Sequence, residues 1–397
     1  MVWRVTDVKE QRKLFIKEYQ KGEITLSDIC ERYNISRPTG YKWIKRYMLE
    51  GEHGLEDRSK ERLTQAHKTN KRLENRILEI KREYERWGPK KIYGFLNKNE
   101  PDEAWPSMTT FGNILKRHGL VTPRKIRRRF PSKVDPLSHC EQPNDVWCVD
   151  FKGWFYTKDR VKCDPFTVTD AYSRFILHCS KLHSGKAPDV WKTIDGLFYE
   201  NGLPRYLRHD NGPPFATSGA GRLSPLSINL IKAGVIPEWI DPGKPHQNGR
   251  HERMHLTLKQ EGAFPLKLTL EEQQMKFKEF IRYFNFIRPH EALNQDVPGD
   301  IYICSDRSWD GKLRSPEYDN GYLVKRVLTR GQVSWKGKNL FIGKALRNEH
   351  IGFKESDDGE WLAYYGPVLL GTVDHFGNFT IPRIRNRSKG NYTERCY

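Results

Sequence analysis

The stretch His251-Glu252-Arg253-Met254-His255 sets two histidines four residues apart, with a glutamate between them. That is the spacing of a zinc protease, in which two imidazoles one helical turn apart hold Zn²⁺ and the glutamate acts as general base. The surroundings count against zinc. Arg250 and Arg253 put positive charge beside the would-be cation, and the acids left for a third ligand, Glu271, Glu272 and Glu279, lie beyond a break at Pro265. Zinc proteolysis through His251, Glu252 and His255 is therefore a remote alternative. Glu252 has a second set of partners in Asp150 and Asp210. Asp150 sits in an apolar and aromatic run, beside Trp147, Val149 and Phe151, where a carboxylate is costly unless paired or metal-bound. Asp210 ends "PRYLRHD" just before Asn211-Gly212; taken alone, Asp-Asn-Gly is a common turn. Three convergent carboxylates are oxygen donors for hard cations such as Mg²⁺. Two such ions about 4 Å apart clamp the attacking and leaving oxygens of an in-line displacement at phosphorus. Without metal the carboxylates repel one another, and at least one is expected to titrate high.

The elements that must position these groups are legible around them. From 144 onward "DVWCVDFKGWFYT", "DPFTVTDAYSRFILHCSKL" and "PRYLRHDNGPPF" read as strands, with a helix over about 187 to 200. The order predicts a mixed sheet that begins as an antiparallel meander. A helix starting near Gln247 carries Glu252, and Lys259, two turns further on, shares its face. Arg250, Arg253 and Lys259 are then candidate phosphate contacts. "EEQQMKFKEFIRYFNFIRPHEAL" sets Phe277, Phe280, Ile281, Phe284 and Ile287 at helical spacing as a core-facing stripe.

The chain holds 69 Lys and Arg against 50 Asp and Glu, a formal charge of +19, which favours a polyanionic partner. Residues 1–134 carry 32 of the bases and 18 of the acids, net +14. In that third, "TLSDICERYNISRPTGYKWIKRYMLEG" reads as two helices and a tight turn. Thr25 pairs with Asp28 as a cap, Ser36 caps the second helix, Pro38 lies in its first turn, and Leu26, Ile29, Tyr33, Trp43, Ile44 and Tyr47 face inward. Arg37, Thr39, Tyr41, Lys42, Lys45 and Arg46 face out, as a helix laid in a major groove requires. A second helical unit follows, with a break at Trp87-Gly88-Pro89, a Ser107 cap, and Phe111, Ile114 and Leu115 at core spacing. Between Lys116 and Lys133 stand eight bases and no acid, including Arg124, Lys125, Arg127, Arg128 and Arg129, which read as a phosphate-tracking linker.

"WCVDF", "LRHDNGPPF" and "DPGKPHQNGRHERMH" follow one another in the order, and with the neighbours, found in insertion-sequence transposases and retroviral integrases. Over most of its length the chain resembles this DDE recombinase family. The most specific piece is Pro242-Gly243-Lys244-Pro245-His246-Gln247-Asn248-Gly249 ahead of Glu252, joined by Asn285-x-x-Arg288-Pro289-His290-x-x-Leu293. Carried over by position, the resemblance makes Asp150, Asp210 and Glu252 the catalytic, metal-binding triad and Asn248, Arg253 and Lys259 DNA contacts. It implies Mg²⁺, replaceable by Mn²⁺, with two ions per site. It implies binding to element ends and target DNA as a homo-oligomer, with strand cleavage and strand transfer as the chemistry. The fold class expected is multidomain: a helix-turn-helix domain at 1–55, a second helical DNA-binding domain at 56–122, a basic linker at 123–143, an α/β ribonuclease-H-like core at 144–295 and a small β-barrel at 318–385. One departure is the interval of 42 residues between Asp210 and Glu252, longer than in the best-known members. "ATSGAGRLSP" at 216–225 reads as a loop insertion, tolerated at small free-energy cost. Asp170, in "TVTDAYSRF", reads as structural.

Seven cysteines without a C-x-x-C pair point to a reducing, cytoplasmic setting rather than a disulfide framework. No apolar run approaches a membrane span. A different class of function, a helix-turn-helix regulator with an inactive nuclease-like core, shares the N-terminal features and differs in cutting nothing.

Overall fold

In the computed structural model, residues 7–58, 69–121, 137, 139–241 and 245–382 are described. The basic linker residues Arg124, Lys125, Arg127, Arg128 and Arg129 lie outside them, as do Pro242, Gly243 and Lys244. The chain forms two units, Met1–Asn70 and Lys71–Tyr397.

The first unit is a helical trio, α1 (Val8–Lys21), α2 (Leu26–Arg32) and α3 (Arg37–Glu50). Asp7 and Thr25 cap α1 and α2 by accepting from backbone amides within the first turn. Ser36 does not cap α3 in this way; its hydroxyl pairs with that of the half-buried Thr39 at 2.9 Å. Phe15, Ile16, Ile29, Trp43 and Ile44 form the core. Arg37, Tyr41, Lys42 and Lys45 are exposed on α3, while Arg46 is half-buried with its guanidinium over the Trp43 ring.

The second unit opens with α4 (Lys71–Glu83), α5 (Pro89–Asn99) and α6 (Met108–Arg117). Ser107 accepts from the Thr110 amide to cap α6, and Ile77, Ile92, Leu96, Phe111, Ile114 and Leu115 close its core. The strands then run β1 (Val146–Phe151), a short hairpin of β2 (Phe155–Tyr156) and β3 (Lys162–Cys163), β4 (Pro165–Asp170) and β5 (Ile176–Lys181). After α7 (Ala187–Asn201) come β6 (Tyr206–His209), α8 (Pro225–Lys232), β7 (Ile236–Trp239), α9 (Gly249–Thr257) and α10 (Leu270–Phe286). The sheet order is β5-β4-β1-β6-β7, antiparallel from β5 to β1 and parallel from β1 to β7, as the strand pattern predicts. Side chains alternate across it. Trp147, Val149 and Phe151 pack with α7 and α8, leaving Cys148 and Asp150 on the opposite face. Phe277, Phe280 and Phe284 of α10 are buried against β5, with Met254 of α9.

Two attachments were not foreseen. The first helical group of this unit is seated on α10 and the segment after it rather than standing apart from the core. The Trp87 indole donates to the Tyr283 hydroxyl at 2.6 Å, Lys91 donates to the Pro289 carbonyl, and Lys90 and Lys98 pair with Glu291 and Asp300. The second concerns the extra residues between Asp210 and Glu252. Ala220 and Leu223, with Ile228 and Ile231 of α8, share a core with Val327, Phe353, Tyr365 and Leu370 from the C-terminal region. The apparent insertion is thus a seat for that region.

After the short α11 (Pro298–Ile301) come β8 (Leu323–Arg326), β9 (Gln332–Trp335), β10 (Lys338–Phe341), β11 (His350–Glu355), β12 (Trp361–Tyr365), β13 (Val368–Val373) and β14 (Phe379–Thr380). The barrel expected here is not closed. β14-β13-β12-β11-β8 form one antiparallel sheet with two edges, and β9 and β10 pair with each other alone. Trp335 of that ribbon lies on Phe353 and Trp361, at centroid distances of 4.5 and 5.2 Å, so the ribbon covers the sheet's apolar face instead of completing a ring.

Gly221 holds φ +60°, and a Cβ there would stand 2.9 Å from Leu370 Cδ2 and 3.0 Å from Val368 Cγ1. Gly221→Val is expected to destabilise the chain by about 2 kcal/mol, through backbone strain and overpacking together. Urea midpoints unchanged from the parent would contradict this seating.

Candidate active site

β1 places Asp150 near its C-terminal end, and the parallel β6 ends beside it, so Asp210 follows on the same side of the sheet. Asp210 is turned back on its own loop, Oδ1 accepting from the Gly212 amide at 3.1 Å. The neighbouring His209 is fully buried against Phe215 and Trp239, and its Nδ1 donates to the Asp210 carbonyl at 2.9 Å. Glu252 stands exposed on α9. The carboxyl of Asp150 is pushed up to about 7, first by burial, then by the negative charge of Asp210, with Glu252 and Asp164 adding to it and the Phe151 amide opposing it. Asp150 therefore feels both of its expected partners. As they lie, no three His, Cys, Asp or Glu side chains among the described residues are grouped to hold a metal ion. Burial is thus the first cause of the rise, and the neighbouring carboxylates add to it; carboxylate oxygens are the donor type that suits a hard cation.

The two histidines of the zinc-like pattern face the other way. His251 and His255 are buried, and their Nε2 atoms converge on one oxygen, Thr167 Oγ1, at 2.8 and 2.7 Å. That hydroxyl also donates to the Asp150 carbonyl at 3.0 Å. Its single proton being used there, both imidazoles must donate to it through Nε2–H. His251 Nδ1 then accepts from the Thr169 hydroxyl at 2.7 Å. Burial pushes both rings down, His255 to about 3, so they stay neutral as this network requires. A threonine oxygen occupies the point where a zinc ion would sit, which contradicts the zinc reading.

Arg208, on β6 and buried, donates to both Glu238 oxygens at 2.9 and 2.8 Å and to the Gln247 carbonyl at 2.8 Å. It fixes the approach to α9 against β6 and β7. Asn248 is 5 % exposed, with its side-chain oxygen unpartnered among the described residues. Lys259 is exposed in a π-helical turn, Leu258–Ala263, that continues α9. Burial, then the charge of Lys259, lowers the Lys152 ammonium, while Asp150 and Asp164 act against them; these groups share one end of the sheet. Arg253 is exposed, and its charge acts on Lys91 and Glu291. Asp170 lies at the far end of the sheet, accepting from the Asn144 and Ser173 amides and the Ser173 hydroxyl, a structural role as expected. Thr167, Arg208 and His209 were missed by sequence reasoning. A threonine in a strand carries no signal of its own, whereas Arg208 within "RYLRH" has the same mark as Asp150, a charge in an apolar strand.

Against known families, residues 233–298 match a model described as Integrase core domain, 11–62 a Helix-turn-helix domain and 39–115 a Homeodomain-like domain. Residues 322–376 match the IS481 family transposase, C-terminal domain. The integrase-core match contains Glu252 and the Asn285–Leu293 segment; Asp150 and Asp210 precede it. The chain is thus similar to insertion-sequence transposases with an integrase-type core. Among individual proteins it is 25% identical over 231 residues to the Insertion element IS476 uncharacterized 39.2 kDa protein of Xanthomonas euvesicatoria, covering 58% of this chain and 64% of that one. The match therefore spans a little under two thirds of that relative. Similar solved structures include the HTLV-2 integrase catalytic core domain in complex with magnesium, at 15% identity and TM-score 0.33 over 41% of this chain and 98% of that one. The simian T-cell lymphotropic virus intasome in complex with PP2A regulatory subunit B56 gamma is similar at 12% identity and TM-score 0.36, over 75% and 100%. No helix among the described residues is long and apolar enough to cross a membrane.

The raised Asp150 has a consequence for stability. An unfolded aspartate titrates near 3.9, so from about pH 4 to 7 the native state holds a proton that the unfolded chain lacks, and stability falls as pH rises. Asp150→Asn removes that dependence. In metal-free buffer the variant is expected to be more stable than the parent at pH 8, by about 1–4 kcal/mol, with the difference largely gone at pH 4. Denaturant titrations showing the same difference at both pH values would rule out the electrostatic account.

Proposed function

We propose that the chain is a metal-dependent DNA transposase that binds the ends of a mobile element and cleaves and joins strands through Asp150, Asp210 and Glu252. The observation that carries the reading is the placement of Asp150 and Asp210 at the adjacent ends of parallel β1 and β6, with Glu252 on α9 packed beside β1; the Asp150 carboxyl, raised by burial and then by the charges of the other two acids, agrees with it. It is supported by similarity to an integrase core flanked by helix-turn-helix and IS481-type segments. The three carboxylates would hold Mg²⁺ or Mn²⁺, two ions per site, and the ions would activate the attacking oxygen and neutralise charge at phosphorus. The protein's own part is to bind and orient. Lys259 and Lys152 offer ammonium groups to phosphate beside Asp150, and Asn248 stands at the start of the helix bearing Glu252. Arg37, Lys42 and Lys45 present the outer face of α3 to a DNA groove, and the domain plan is helix-turn-helix, second helical module, linker, core and C-terminal sheet. Element ends and target DNA are the partners, engaged by a homo-oligomer in the cytoplasm.

Asp150→Asn, Asp210→Asn and Glu252→Gln are each expected to reduce Mn²⁺-dependent strand cleavage and strand transfer by at least about 10³-fold while leaving duplex binding within about twofold. A chain that binds element ends but cuts nothing in Mg²⁺ or Mn²⁺, parent included, would instead be a helix-turn-helix regulator with an inactive core. Full activity in all three variants would defeat the triad.

A further inference from the structure

Arg250, a candidate phosphate contact from the sequence, lies two residues before Glu252 on α9. Its Nη1 reaches back to the Ala171 carbonyl at 3.1 Å and to Cys140 Sγ at 3.8 Å. Arg174, from the turn between β4 and β5, reaches the same carbonyl through its own Nη1 at 2.5 Å. Arg174 stands at φ +69°, a left-handed conformation uncommon for a long side chain. The two guanidinium groups border a cavity of about 300 Å³, shared with Tyr172, Cys140, Asn294 and Asp296. Among the described residues neither arginine meets a carboxylate. Asp170 is engaged with Asn144 and Ser173, and Asp296, the one carboxylate among the described residues lining the cavity, makes an exposed pair with Lys98 Nζ at 3.7 Å rather than with either arginine. Two half-buried positive groups that share one carbonyl and face open space are an unfavourable arrangement unless an anion joins them. Burial of Arg174, and then the charge of Arg250, lower its guanidinium to about 10, with Asp170 among the groups opposing them. Each fork keeps N–H donors beyond those on Ala171 and Cys140, in the planar array that suits a tetrahedral oxyanion.

The geometry points to a phosphate pocket here, at the N-terminal end of α9, in which Arg174 and Arg250 together grip one backbone phosphate of a DNA strand. This rests on the DNA reading above and adds an anchor at the opposite end of the sheet from Asp150. A strand held there and at Lys259 would lie along α9, past the exposed Glu252.

The test uses the full chain and a fluorescein-labelled duplex of about 30 base pairs, with binding followed by anisotropy between about 50 and 300 mM KCl. Arg174→Gln, Arg250→Gln and the double variant are each expected to lower the slope of log K against log[KCl] by about one, because either half of the cradle releases the same phosphate. Arg174→Lys and Arg250→Lys keep the charge and should retain the parent slope, which separates lost contact from lost folding. Unchanged slopes in the Gln variants overturn the pocket while leaving the DNA reading intact. A fall of about two in the double variant overturns the shared phosphate. A parent that shows no salt-dependent duplex binding removes the DNA reading and the pocket with it. Inorganic phosphate distinguishes the remaining source: if it raises the parent's melting temperature over chloride at equal ionic strength, and the Gln variants lose that rise with no change in slope, the pocket takes free anion and the strand contact is refuted.

Discussion

The hydroxyl of Thr167 ties together the elements that carry the candidate site. It accepts from His251 and His255 on α9 and donates to the carbonyl of Asp150 on β1. The strand bearing one carboxylate and the helix bearing another thus meet at a single buried oxygen whose donor and acceptor capacity is fully used. Buried networks of this kind fix geometry because any partial version leaves a desolvated group unpaired. The inward histidines also decide where Glu252 points. With positions 251, 254 and 255 turned to the sheet, 252 must face out, where it meets the field of Asp150.

Arg208 supplies the second constraint. Its three donors bind β6, which leads to Asp210, to Glu238 on β7 and to the chain just before α9. The carboxylate of Asp210 and the helix of Glu252 are therefore referenced to the same strand. The acids themselves repel, so their approach is imposed by the scaffold around them. The scaffold beneath them is held by the Arg208–Glu238 ion pair and by the neutral network at Thr167.

Much of this was legible in the sequence because periodicity and capping are local. The helices of both N-terminal groups, the antiparallel start of the sheet and the α10 stripe follow from residue spacing. What was not legible depended on pairing over long separations. The pattern His251-x-x-x-His255 specifies two nitrogens that converge, but whether on a metal or on a strand hydroxyl depends on Thr167, more than 80 residues earlier. The stretch 216–225 looks like a tolerated loop because its polar residues show, while Ala220 and Leu223 gain meaning only against Leu370 and Tyr365. A β-rich C-terminal region was foreseen, yet closure into a barrel is a matter of which edges pair, and Trp335 settles that by packing on a face. That Arg250 reaches back to Ala171 across the helix end depends on the fold of the β4–β5 turn, which spacing within α9 does not show.

The central claim is that Asp150, Asp210 and Glu252 form one cation site. The most direct measurement is anomalous scattering from Mn²⁺ in crystals of the full chain at neutral pH. The account predicts density for one or two ions lying among these three carboxylates, lost in the Asp150→Asn protein. It would be contradicted by saturating Mn²⁺ that leaves the three carboxylates without an ion, or by an ion seated at His251 and His255.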